Sequence, residues 1–155
     1  MLTGKKIVLG VSGGIAAYKM ANVASMLSKL HADIHVVMTE NATHFITPET
    51  FEVLTGNHCY TDTFDRCMEL HVPHIALGTQ ADAILIAPAS ADVVGKIANG
   101  IADDMLTTCV LPATCPVMLA PSMNVHMYEN PIVQDNMKRL ASYGYEIIEA
   151  EEGLS

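Results

Sequence analysis

Seven histidines and four cysteines in 155 residues raise metal and thiol chemistry first. Cys67, His71 and His74 stand at C-x3-H-x2-H spacing. A closed zinc site needs a fourth ligand and usually tighter pairs. Nothing nearby supplies one, so no metal is expected. His31, His35, His44 and His58 are scattered and read as surface or structural residues. Cys59, Cys67, Cys109 and Cys115 form no CxxC pair, and no signal-peptide pattern precedes Ile7. They are expected to be reduced thiols of a cytoplasmic protein, most of them serving as small buried hydrophobes. A nucleophilic triad has no support either, since no GxSxG elbow occurs. Three segments remain in which small and polar residues follow an apolar run: Ser12-Gly13-Gly14, residues 88–92, and residues 121–127.

A glycine-rich turn between a strand and a helix leaves backbone N–H groups directed at an anion. The familiar phosphate loops are absent, with no GxGxxG and no GxxxxGK[ST]. Ser12-Gly13-Gly14 alone therefore reads more readily as a tight βα turn than as a phosphate site. Asn124 reads as a turn residue before a helix, or as a polar contact in a crevice. His74 stands just ahead of the central strand, and periodicity does not bring it into that crevice.

The elements that must position these residues follow from the apolar pattern. Residues 7–11, 34–38, 83–87 and 117–120 are short apolar runs, the profile of strands buried on both faces, and a fifth strand starts at Glu146. Residues 15–30 carry a helical stripe through Ala16, Met20, Val23, Leu27 and Leu30. Thr47 with Pro48 starts a helix that Gly56 stops, and Asn130 with Pro131 starts another whose apolar face is Ile132, Val133, Met137 and Leu140. After residues 88–92, the spacing of Val93, Ile97 and Ile101 predicts one helix. Regular β/α alternation predicts an α/β fold, a three-layer doubly wound parallel sheet. Ligands of such sheets sit in a crevice at the carboxyl ends of the strands. The three polar segments would be its walls, and the residues alone lead to a domain binding a phosphorylated cofactor.

Composition narrows the partners. A net charge of −9 with only eight Lys and Arg argues against nucleic acid. Half the residues are hydrophobic, yet no run approaches the roughly 20 needed to span a bilayer, so no membrane partner is expected. The excess hydrophobicity suggests buried subunit interfaces.

VSGGIAAYK at 11–19, VMTENA at 37–42, HIALGTQAD at 74–82, APASADVVGKIANGIADDMLTT at 87–108 and PSMNVHMYENP at 121–131 occur in this order. Together they resemble the flavin-containing cysteine decarboxylases, most closely the phosphopantothenoylcysteine decarboxylases of coenzyme A synthesis. The resemblance covers nearly the whole chain. It implies an FMN-binding decarboxylase domain over 1–155, acting on 4'-phosphopantothenoylcysteine to give 4'-phosphopantetheine. It places Gly13, Gly14, Ile15, Thr39, Asn41, Ser90, Ala91 and Asp92 around FMN. It assigns His74 to the substrate thiol, Asn124 to the substrate carboxylate and amide, and Met123 and Met127 to the substrate site. It further implies a homotrimer or a dodecamer, and a phosphopantothenate–cysteine ligase either fused or separate. It implies redox-neutral chemistry: oxidation by FMN at the carbon bearing sulfur would give a thioaldehyde, loss of carbon dioxide an enethiolate, and return of the hydride together with a proton the thiol product.

The sequence departs from the family in three places. Ser122 stands where the family usually has Ala, and Asp92 where Asn is common. An acid near a bound phosphate is costly unless it turns away. Family members also carry an Ala-Cys-Gly motif on a substrate clamp beyond the last residues here. None of the four cysteines lies in that context, so the clamp is expected to be missing from these 155 residues. Two alternatives remain: oxidative decarboxylation of a peptide's C-terminal cysteine, and a non-catalytic flavin-binding regulatory subunit. A prenylated-flavin synthase fits less well, because that relative lacks the paired His and Pro-x-Met-Asn pattern.

Overall fold

A computed structural model describes residues 1–64 and 73–149, without the side chains of Pro73 and His74. Burial of alternate residues along its strands sets the architecture. In β1 (Lys6–Val11), Val8 joins one core while Leu9 and Val11 join another, and all three are buried. In β2 (Asp33–Met38), Ile34, Val36 and Met38 enter the second core and Val37 the first. A strand apolar on both faces must be covered on both, and parallel pairing with helical crossovers does this. With β3 (Ala83–Ala89), β4 (Val117–Pro121) and β5 (Glu146–Ile147), the strands form one parallel sheet in the order β2-β1-β3-β4-β5.

One face is covered by α1 (Met20–Lys29) and α2 (Pro48–Thr55), through Ala24 and Phe51. The other carries α3 (Pro73–Gln80), α4 (Ala91–Ala98), α5 (Met105–Val110) and α7 (Pro131–Ser142), with Leu77, Val94, Leu106 and Leu140 in its core. A one-turn helix, α6 (Val125–Glu129), precedes α7. The doubly wound parallel fold is as the pattern predicts. No helix among the described residues is long and apolar enough to cross a membrane.

The local chemistry at several ends is also as expected. Gly56 closes α2 with φ 72°, the left-handed region open to glycine, and the Asn130 side chain accepts from the Ile132 N–H at the start of α7.

Four expectations need correction. The central strand does not stop at Ala87. It runs through Pro88 to Ala89, past a cis Ala87–Pro88 bond and a register shift between Ile86 and Ala89. A proline within a strand is tolerated at such an irregularity, because no ladder bond needs its missing N–H. The helix after it ends at Ala98, since Gly100 takes φ 70°. Ile101 therefore lies outside the helix and is 46% exposed. A separate helix, α5, follows, started by a capping box between Asp104 and Thr107. Ile132 is exposed rather than part of the α7 core face, where Asn136 is buried instead. His74 does not lead straight into the central strand but sits in the first turn of α3. The possible metal ligands Cys67 and His71, and the His74 side chain, lie outside the described residues.

Candidate functional site

Connections from β1 and β3 leave the sheet toward opposite faces, which opens a crevice where these two neighbours end. Ser12, fully buried, fastens the two ends together. Its N–H donates to the Pro88 carbonyl at 3.2 Å, its hydroxyl donates to the same oxygen, and its Oγ accepts from the Ser90 N–H at 2.8 Å. With Ser12 committed to β3, the chain turns outward at Gly13 and Gly14. Among the described residues neither glycine N–H has a hydrogen-bond partner.

Gly13 is required by a close approach. A Cβ there would lie 2.6 Å from Asn41 Cβ and 3.2 Å from its backbone carbon. The turn after β1 thus packs directly on the turn after β2. That second turn is held by Thr39, whose N–H donates to Val11 O at 3.0 Å and whose Oγ1 accepts from the Ala42 N–H at 3.2 Å. Across the crevice α4 begins. Ser90 is its N-cap, with Oγ accepting from the Val93 N–H at 3.2 Å. The first-turn N–H groups of Ala91 and Asp92 have no helical acceptor to reach.

These turns enclose a cavity of about 390 Å³, within the range that holds small-molecule ligands. Its walls include Gly13, Thr39, Asn41, Ser90, Ala91, Asp92 and Met127. Seven of the residues singled out from sequence are therefore brought together. Gly14, Ile15, Met123 and Asn124 are not part of this lining. Ile15 is 71% exposed, Met123 is buried, and Gly14 borders the turn next to Pro88. Asn124 is exposed at the start of α6, where its Oδ1 accepts from the His126 N–H at 2.9 Å. That bond leaves its Nδ2 group as a donor.

His74 comes to the same edge through its helix. The far end of α3 is tied to the start of β1: Asp82 N–H donates to Lys6 O and Lys6 N–H donates to Asp82 Oδ2, both at 2.8 Å. The first turn of α3, with His74, therefore lies toward the carboxyl edge. Gly78 seats this helix on α5, since any Cβ there would collide with the Cys109 carbonyl oxygen.

The cavity also holds charged residues that sequence reading did not select: Glu40, Lys96, Asp103 and Asp104. Lys96 Nζ lies 3.1 Å from Asp103 Oδ1, 3.3 Å from Asp92 Oδ2 and 4.0 Å from Asp104 Oδ2. Burial pulls the Lys96 ammonium down, but its bonds to Asp103 and Asp92 outweigh this and hold it above the ordinary value. The i,i+4 spacing of Asp92 and Lys96 was a readable signal for their pair; the partnership with Asp103 needed the turn after α4.

The Cys109 and Cys115 thiols are not activated. Burial, with Cys115 nearby, pushes Cys109 up to about 12, and burial also raises Cys115. No group of His, Cys, Asp and Glu among the described residues could hold a metal ion. What the site offers is a set of unpaired N–H donors and hydroxyls at one end and a charged wall further along α4. This donor set fits a ligand with one anionic end and a larger neutral body, as FMN has.

Comparison with known proteins agrees with this chemistry. The family model for flavoproteins matches residues 1–155. The coenzyme A biosynthesis bifunctional protein CoaBC of Bacillus subtilis (strain 168) is 49% identical over 153 residues, which is 99% of this chain and 38% of that protein. A Streptococcus mutans protein named "probable phosphopantothenoylcysteine decarboxylase" is 43% identical over 152 residues, covering 97% of this chain and 85% of the relative. Among solved structures, the FMN-dependent cysteine decarboxylase SpaF superposes with a TM-score of 0.92 at 38% identity, covering 99% of this chain and 88% of that one. A mutant PPC decarboxylase complexed with pantothenoylaminoethenethiol gives 0.80 at 30% identity, covering 93% and 81%. The chain spans little more than a third of the length of the bifunctional relatives it matches.

Proposed function

The chain belongs to the flavoprotein family, and on that premise we propose that it binds FMN and decarboxylates 4'-phosphopantothenoylcysteine to 4'-phosphopantetheine. One observation carries this reading: among the described residues, the N–H groups of Gly13, Ala91 and Asp92, without hydrogen-bond partners, line one cavity with Ser90, Thr39 and Asn41 at the β1/β3 switch point. Relatives named for coenzyme A biosynthesis and for this decarboxylase, at 43–49% identity, supply the substrate. Gly14 and Ile15 complete the FMN-facing turn, and Met123 and Met127 belong to the substrate side. When bound, FMN supplies the two-electron acceptor that decarboxylation of a cysteine amide requires.

The chain's own residues do the rest. His74 takes the substrate thiol proton, because a thiol with an ordinary pKa of roughly 8.5 is mostly protonated near neutrality. Asn124, its Oδ1 already occupied by the His126 N–H, donates through Nδ2 to the substrate carboxylate. A neutral donor holds that carboxylate without countering its loss as carbon dioxide. The protein works in the cytoplasm as a homotrimer or dodecamer, with a phosphopantothenate–cysteine ligase fused or as a separate partner.

The test is titration with FMN, followed by turnover. Wild-type protein should quench FMN fluorescence and release carbon dioxide from phosphopantothenoylcysteine. His74→Asn should keep flavin binding and lose turnover by roughly a hundredfold or more. Protein that takes up no FMN would end the reading. Turnover of a peptide with a C-terminal cysteine, but not of phosphopantothenoylcysteine, would redirect it to peptide substrates.

A further inference from the structure

The chemistry above leaves the charged wall of the cavity without a role. Lys96 is the only cationic side chain among the described residues lining it, and Glu40, Asp92, Asp103 and Asp104 line it as well. Four carboxylates against one ammonium oppose any anionic ligand. Asp92 is the most exposed to this conflict, since its own backbone N–H is among the unpaired donors at the start of α4. Its carboxylate is not left there. Lys96, one turn further along the helix, holds Asp92 Oδ2 at 3.3 Å. Asp103 holds the same ammonium at 3.1 Å, and Asp104 stands at 4.0 Å. An ammonium so surrounded is a counter-charge with little capacity left for a ligand's phosphate.

We infer that Lys96 is a positioning residue that draws the Asp92 carboxylate down α4 and neutralises it, making an acid at position 92 compatible with a phosphate at the helix start. The inference rests on the FMN reading and concerns only the phosphate end of the ligand. Riboflavin, which lacks that phosphate, is therefore the discriminating probe.

Dissociation constants for FMN and riboflavin, measured by flavin fluorescence on wild type, K96Q, D92N and the double variant, test it. K96Q frees an uncompensated carboxylate and should weaken FMN by roughly tenfold while changing riboflavin by less than about twofold. D92N on the K96Q background removes the offending charge and should return FMN affinity to within about twofold of wild type. Equal losses of FMN and riboflavin in K96Q would overturn the inference, because a merely structural lysine would weaken both. A double variant as weak as K96Q would also overturn it, because Lys96 would then contact the phosphate itself. Wild type that binds neither flavin would bring down the proposed function, and this inference with it.

Discussion

The two walls of the cavity keep their shape by different forces. Apart from Glu40, the wall made by the ends of β1 and β2 is neutral, closely packed and hydrogen-bonded: Ser12 is joined to Pro88 and Ser90, Thr39 to Val11 and Ala42, and Gly13 lies against Asn41. The wall made by α4 and the residues after it is charged and partly exposed, with Lys96 between Asp92 and Asp103. Packing and buried hydrogen bonds are short-ranged and indifferent to salt, whereas partly exposed ion pairs are screened and titrate. The first wall should therefore fix where a ligand sits. The second should set which charge it is permitted to carry.

The largest effect should come from filling the one gap the neutral wall cannot spare. Gly13→Ala brings a Cβ to 2.6 Å from Asn41 Cβ, an atom that moves only with its backbone in the short helical turn Asn41–His44. Overpacking of this kind costs about 1–3 kcal/mol. For a chain of this size each kcal/mol lowers the melting temperature by about 2–4 °C. The displaced turn after β2 carries Thr39 and Asn41, so flavin binding should fall along with stability. An unchanged melting curve would mean that the two turns separate freely and that this wall is softer than argued.

Ser12→Ala should rank next. It leaves the Ser90 N–H without its acceptor in a partly buried place and removes the hydroxyl from the Pro88 carbonyl, which keeps the Ser12 N–H. An unsatisfied donor in such a place costs about 1 kcal/mol. The loss, read from urea midpoints, should be the same at low salt and at roughly 1 M salt, where screening reaches about 3 Å. A loss that shrank with salt would show that the neutral wall depends on charge after all.

The neutral wall was also the legible one. Strands buried on both faces announce themselves as unbroken apolar runs, and the small residues after them mark where the sheet ends. Local cap chemistry at Gly56 and Asn130 is equally readable, because each signal lies within a few residues of what it stops. Pro88 misleads because a proline ordinarily ends a strand, yet its carbonyl still accepts from Ser12, a residue 76 positions away. The single helix suggested by Val93, Ile97 and Ile101 fails for a local reason. Gly100 in the left-handed region breaks it, and the Asp104/Thr107 box starts α5 afresh. That box was present in the sequence, masked by an apolar spacing that crosses the break. The joining of Lys96 to Asp103 depends on how that break folds back, and no periodicity encodes it. From the sequence Ser12 is one residue of a tight βα turn. Only the neighbouring β3 makes it the fastening of the switch point.

The smallest effect should separate the walls most cleanly. Lys96→Gln removes ion pairs whose carboxylates are largely exposed, and pairs of this kind contribute about 0.2–1 kcal/mol. Burial lowers the Lys96 pKa and the bonds to Asp103 and Asp92 raise it, leaving it above the ordinary 10.5. A group held more tightly protonated in the fold stabilises it fully below its unfolded pKa. That contribution is lost as pH rises through the folded value. The gap in urea midpoint between wild type and K96Q should therefore stay constant from neutrality to about pH 10 and close above 10.5. It should also close in roughly 1 M salt at neutral pH, where the Ser12→Ala gap does not. A K96Q gap that persists in salt and at high pH would mean that the lysine acts through its buried stem rather than its charge. The two walls would then differ in residues and not in kind.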